Sequence, residues 1–334
     1  MRFSAKNSSI FIILSVALLV TLIVALSLGA VRLPGQWIIR TILGLPAEGL
    51  DYWNLIFWRV RLPRVLGAAL IGAILALSGT AFQGILRNPL ADPYILGVSA
   101  GASLGAAVMS LLPLKNTVYA WSIAAFLGAL TVTFLVYKLA SLGIVRRVQD
   151  LLLAGVAMGS LASSIVSIIL VLNRASMDKV IMWMMGSLSG ISWQAIGMLT
   201  LYLIPGFVIL VLRSRVFDAL LLGEEAAWNL GVDVYKQTRI ILITASFLAA
   251  AAVSVSGVIG FVGLMVPHIL RMLLGPNHKL LLPASLLGGG VLLVATDCLS
   301  RTVLAPTELP VGVITSLLGA PFFLYLLKRN KENL

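Results

Sequence analysis

The sequence predicts an all-α polytopic membrane protein of about ten transmembrane helices, and three observations carry that prediction. Of the 334 residues, 60% are hydrophobic and 11% charged, with a mean hydropathy of +1.06. That leaves too little polar surface to cover a water-facing body. Apolar blocks near the ~20 residues needed to cross a bilayer recur from Ile10 almost to the C-terminus. The net charge of +12 is spread as single basic residues between those blocks. No arm or aromatic-interleaved surface follows a phosphate backbone, so the charge belongs to membrane topology and nucleic acid is excluded as a partner.

Arg2 and Lys6 precede the first apolar run, Ile10 to Val31. A signal peptide shares that charge pattern, but its hydrophobic core is only about 7 to 15 residues, so the run predicts a first, uncleaved span. Further spans are predicted at 62–86, 94–112, 117–139, 151–172, 191–212, 238–256, 259–275, 281–303 and 309–327. They form one transmembrane domain, 1–334, with outer segments at about 32–61 and 173–190 and an inner segment at about 216–236.

Orientation follows the cations. A cytoplasmic N-terminus puts Arg2, Lys6, Arg87, Lys138, Arg146, Arg147, Arg213, Arg215, Lys236, Arg239, Arg271, Lys279, Lys328, Arg329 and Lys331 inside, and the C-terminus with them. Arg32, Arg40, Arg59, Arg61 and Arg64 then crowd the first outer segment, against the rule, so something must offset that disadvantage. Cys298, the single cysteine, excludes an internal disulfide and any cysteine metal cluster.

Within this frame the local motifs read in order. Asn88-Pro89 ends a helix, and Asp92-Pro93 starts one, with the carboxylate as cap and proline at the first helical position. Gly97, Gly101 and Gly105 repeat on one face of the third span, and Gly155 and Gly159 on the fifth, which predicts close backbone approach. Met177, Met182, Met184 and Met185 read first as core filling, or else as lining for a bulky solute. In "DALLLGEEAAWNLGV", 218–232, Gly223 and Gly231 divide two short helical pieces, with Glu224 and Glu225 in the first turn of the second. That stretch is an amphipathic connector or a docking element for a cytoplasmic partner.

His268 and His278 lack acidic or cysteine companions nearby in sequence, which makes a poor metal site. Asp297 and Arg301 stand four apart on one helix face and can neutralise each other in the membrane. No phosphate loop, zinc-protease motif or nucleophile elbow occurs, so catalytic, cofactor and metal residues are expected to be none, and driving energy must come from elsewhere.

Taken together, Arg61-Leu62-Pro63-Arg64, "NPLADPYILGVSAGA", "LLLAG" at 151–155, "WMMGSLSG" at 183–190, "LLLGEEAAWNLGV", "GFVGLMVPHILR" and "ELPVGVITSLLGAPFFLYLL" at 308–327 resemble one family. It is the permease subunits of ABC importers for iron-siderophores, haem and cobalamin, and the pieces run in family order across nearly the whole chain. Thr296-Asp297 departs slightly from the Ala-Asp that members often show.

The resemblance implies a cobalamin-importer-permease-like fold and a homodimer, or a pairing of two related permeases, in the bacterial cytoplasmic membrane. Two cytoplasmic ATP-binding subunits supply the energy, and an extracytoplasmic binding protein delivers the solute. It implies that Arg61, Arg64 and Arg301 form basic pockets for glutamates of that binding protein. It likewise assigns Gly223, Glu224, Ala227, Leu230 and Gly231 to ATPase coupling, and Asn88 and Leu90 to a cytoplasmic gate. Read from the residues alone, the outer arginines are equally anchors at lipid headgroups. The rival of another class is an ion-coupled secondary transporter, which needs buried ionisable residues or interrupted helices at mid-membrane in both halves, neither clear in the sequence. A molybdate-type importer of the same family is the alternative of solute.

Overall fold

The structure is a computed structural model that describes residues 5–29, 31–45, 51–112, 118–141 and 148–332. Arg2, Arg146 and Arg147, used above for topology, lie outside the described residues. Among those residues every regular element is helical. The chain opens with α1 (Ala5–Ser27) and α2 (Gly35–Ile42), then α3 (Asp51–Leu55), which passes through a π-helical stretch, Ile56–Arg61, into α4 (Leu62–Ile85). A 3₁₀ turn, Pro93–Leu96, leads to α5 (Val98–Leu111), followed by α6 (Val118–Ala140), α7 (Val148–Leu172), α8 (Met177–Met184) and α9 (Trp193–Leu212). Two short helices, α10 (Ser214–Leu221) and α11 (Glu224–Asn229), precede α12 (Val234–Ser256), α13 (Val262–Leu274), α14 (His278–Thr302) and α15 (Val311–Glu332).

Each of the ten predicted spans coincides with one apolar helix, and among the described residues seven of these are both long and apolar enough to cross a bilayer. α5 and α13 have 14 and 13 residues, about 20 Å at 1.5 Å per residue, against a hydrocarbon core of roughly 30 Å. Both are shortened by a break before them. Asp92 caps the 3₁₀ turn through the Tyr94 N–H (2.8 Å), as the sequence predicts, and Gly97 then turns left-handed (φ 76°) before α5 can begin. Ahead of α13, residues 257–261 are irregular.

That irregular backbone sits inside protein. The Tyr94 hydroxyl donates to the Ile259 carbonyl (2.9 Å) and accepts from its N–H (3.3 Å), satisfying both polar groups of a residue with no helix to do so. Ser187 N–H bonds the Ser256 carbonyl and Val311 N–H the Gly186 carbonyl, so three breaks in the bundle are tied together.

α4 and α14 run antiparallel as the spine. Gly72 and Gly289 face each other so closely that a Cβ on either would run into the other's backbone carbonyl, and a Cβ on Gly79 would run into the Gly263 carbonyl of α13. Burial grades outward: 83% of the apolar window of α4 is buried but 11% of that of α1, whose Ile12, Ile13 and Leu19 face outward as lipid requires. α5 lies on α6 through Gly101 and Gly105, as their spacing predicts. The predicted pair on α7 splits. Gly155 abuts the Ile95 carbonyl, whereas Gly159 has open space beside it.

Candidate functional site

Three places in the bundle concentrate chemistry. At one end, the π-helical stretch and Pro63 set the start of α4 so that Arg61 and Arg64 project beside the last turn of α14. Arg61, 5% exposed, donates from Nη1 to the carbonyls of Leu26 (3.0 Å) and Ser27 (3.2 Å) and from Nη2 to that of Val31 (2.6 Å). Arg301 donates to the carbonyls of Leu28 (3.0 Å) and Ala25 (3.1 Å). Two guanidiniums thus satisfy the carbonyls left open where α1 ends, the negative end of its dipole.

Arg64 is bound by carboxylates instead. Its Nε donates to Asp297 Oδ1 (2.9 Å) and its Nη1 to both oxygens of Glu308 (3.0 and 2.8 Å), while Arg301 Nε sits 3.0 Å from Asp297 Oδ2. The Asp297–Arg301 pair is therefore formed as the sequence predicts, but Asp297 is shared. Three cations against two carboxylates leave net positive charge around a recess of about 130 Å³ lined by Val31, Val60, the three arginines and Glu308. Sequence reasoning missed Glu308, because nothing in "TELPVG" marks its glutamate as the partner of a residue 244 positions away.

At the other end, the last turn of α4 is a junction. Gln83 Nε2 donates to the Leu264 carbonyl (3.1 Å) and its Oε1 accepts from Arg271 (2.9 Å), holding α13. Beside Gly84, Phe217 of α10 stacks on the His278 ring at 4.7 Å, and His278 meets Asp218 Oδ1 through Nδ1 (2.9 Å) and backbone N–H (3.0 Å). His278 is thus wholly buried and fastens α10 to α14, while His268 sits edge-on to Phe322 and Phe323 of α15. Arg87, just beyond α4, reaches Glu224 of α11 at 3.0 Å. Asn88 accepts from the Leu90 N–H (2.9 Å), closing the turn on itself, and both residues are exposed. Burial pushes the Asp92 carboxyl up to about 6, against the downward pull of the Tyr94 N–H.

The five residues assigned to coupling fall into different places. Gly223 (φ 109°) and Gly231 (φ 80°) bracket α11 in conformations that favour glycine. Ala227 is fully buried against Ala219 and Leu220 and holds α11 on α10, Glu224 is ion-paired with Arg87, and Leu230 is 64% exposed. Leu222 (70%) and Trp228 (63%) join Leu230 as a bare apolar surface.

The third place is a cavity of about 570 Å³ against α15, lined by Met184, Met185, Val258, Gly260, Val313, Ser316 and Leu317. Met177, Met182 and Met185 are 40–56% exposed and fill no core, whereas Met184 packs on the cluster of Ala107, Val166 and Val180; Met184 and Met185 line the cavity. Among the described residues no three His, Cys, Asp or Glu side chains converge to hold a metal.

An all-helical bundle with broken spans, an open apolar concavity against α15, and two short helices bare at one end defines the membrane-embedded permease of a transporter. The chain belongs to the FecCD transport family, whose pattern it matches over residues 17–329. It is 45% identical to the cobalamin import system permease protein BtuC of Halobacterium salinarum, over 80% of this chain and 72% of that one. It is 38% identical to the hemin transport system permease protein HmuU of Yersinia pestis, over 96% of both. Among solved structures it resembles, at a TM-score of 0.84 and 30% identity over 96% of this chain and 99% of the other, an inward-facing conformation of a transporter assigned to the metal-chelate type of ABC transporter.

Proposed function

We propose that this chain is the permease subunit of an ATP-driven importer that carries a metal chelate into the cytoplasm. The observation that carries the reading is the bare face of α10 and α11. Leu222, Trp228 and Leu230 stand 63–70% exposed on or just past the ends of short helices whose other side is fastened into the bundle by Ala227, Phe217 and the His278–Asp218 pair. Exposed apolar residues on a rigidly held element mark an interaction surface. Two ATP-binding subunits, one for each permease of a homodimer, are the partners that suit it.

In this reading the α11 end faces the cytoplasm, with both termini, in a bacterial cytoplasmic membrane. The arginine end faces out and receives an acidic binding protein at Arg61, Arg64 and Arg301. An incoming carboxylate there competes with Glu308 for the Arg64 fork. The apolar cavity suits a cargo whose metal is already fully coordinated. Relatives named for cobalamin, hemin and, in Bacillus subtilis, Fe(3+)-citrate support the chelate class.

The test is reconstitution of the chain with its ATP-binding subunits and binding protein in liposomes. Uptake of cobalamin, haem or a ferric chelate that requires ATP is the expected result. Uptake driven by a proton or sodium gradient, with no ATP-binding subunit present, overturns the proposal.

A further inference from the structure

Resting on that reading, we infer that Arg87 is a positioning residue that ties the Asn88–Leu90 turn to α11, so that movement of the coupling helices reaches the turn through the Arg87–Glu224 pair.

The backbone is the first support. α4 ends in the geometry in which the N–H two residues past the cap returns to a carbonyl of the last turn: Asn88 N–H bonds the Gln83 carbonyl (3.2 Å). The residue between, in the left-handed position that glycine usually fills, is Arg87, at φ 48°. Among the described residues only Phe261 is another non-glycine with positive φ. A chain that places a long cation where the backbone favours glycine retains the side chain for what it touches. What it touches is Glu224 Oε1, 137 positions away and first in α11.

Solvent exposure is the second. Both partners are well exposed, 38% and 54% by side chain, so the pair adds little to stability. Its effect is geometric. The turn is closed on itself by Asn88 and anchored to the most buried helix through Gln83, so Arg87 is its handle toward α11. The same turn of α4 also meets Phe217 of α10 at Gly84. Both short helices therefore press on residues 84–87.

The experiment uses the reconstituted importer with its ATP-binding subunits and reads solute moved per ATP hydrolysed. Arg87→Gly relaxes the backbone while removing the guanidinium, and Arg87→Lys keeps the charge. Arg87→Gly is expected to lower the ratio about threefold or more, within the range of couplings that single contacts modulate, with ATP-binding subunits still recovered. Arg87→Lys should retain most of it. Glu224→Gln combined with Arg87→Gly should be no worse than the poorer single variant, and Arg87→Glu with Glu224→Arg should recover part of the loss. An Arg87→Gly importer with the wild-type ratio, or losses that simply multiply in the double variant, overturns the inference while the parent reading stands. A wild-type chain that imports nothing with ATP overturns both.

Discussion

Arg64 and Asp297, 233 positions apart, meet at 2.9 Å across the two helices that form the spine, each almost fully buried. Asp297 also neutralises Arg301, so one carboxylate serves two guanidiniums. Removing one partner of a buried pair leaves charge uncompensated and costs about 3–5 kcal/mol, whereas an exposed pair is worth about 0–1. Asp297→Ala should therefore sharply lower the melting temperature of the purified chain. Glu308→Gln, whose carboxylate is 41% exposed, should barely move it. Equal melting temperatures for the two variants would show that Asp297 is not the keystone of this cluster.

Glu308 makes a second prediction, about binding. It occupies the Arg64 fork from within the chain, so an external acidic partner must displace it. Glu308→Gln should tighten association with the binding protein, chiefly at low salt, where rim charges steer encounter. Reversing Arg61 and Arg64 together should weaken association. Arg61 also binds the end of α1, so assembly must be checked in the same preparation. Surface-immobilised binding protein at two ionic strengths decides it, and unchanged affinity for Glu308→Gln at low salt rejects the competition.

How much of this could be read from the chain divides along a physical line. Span positions, the Asp92 cap and the Asp297–Arg301 pair are local in sequence, governed by hydropathy, capping and helix periodicity, and they appear where expected. Arg64–Glu308, Arg87–Glu224 and His278–Asp218 join residues 60 to 244 positions apart, which no periodicity links. Gly155 and Gly159 show the limit most plainly. Their spacing is the same as in α5, but what lies opposite is set by the fold, and only Gly155 has a neighbour.

From that difference follows a third test. At Gly289 a methyl group would strike the Gly72 carbonyl, and overpacking of this kind costs about 1–3 kcal/mol. At Gly159 nothing stands within reach, and alanine in place of helix-interior glycine gains up to about 1 kcal/mol. Gly289→Ala should lower thermal stability in detergent, and Gly159→Ala should leave it unchanged or raise it. A loss at Gly159 equal to that at Gly289 would contradict the packing described.

Asp92 yields a pH prediction. Burial pushes its carboxyl up to about 6, above the ordinary 3.8, so the folded state binds the proton more tightly than the unfolded one. The resulting stability is fully present below about pH 4 and is lost as pH rises through about 6. The effect is at most about 2–3 kcal/mol. Asp92→Asn keeps an oxygen for the Tyr94 N–H and carries no charge, so its melting temperature should exceed the wild type's at pH 7.5 and converge with it near pH 4. A constant difference across that range would assign the effect to something other than ionisation.

The coupling face separates two kinds of loss. Trp228→Ala and Leu230→Asp remove exposed apolar contact from α11 without touching the Ala227 contact that holds the helix in place. They should leave membrane insertion and thermal stability within about 0.5 kcal/mol of wild type, as surface substitutions do, while sharply lowering recovery of ATP-binding subunits on the purified chain. Gly223→Leu acts differently. Open space surrounds its Cβ position, so no clash arises, but φ of 109° is a conformation nearly confined to glycine. The strain, of order 1–3 kcal/mol, should reorient α11 relative to α10. Loss of ATP-binding subunits should then come with faster proteolysis at 222–224, which Trp228→Ala should not show. Recovery of the full complex from both Trp228→Ala and Leu230→Asp would mean that the bare face of α11 is not where the motor binds.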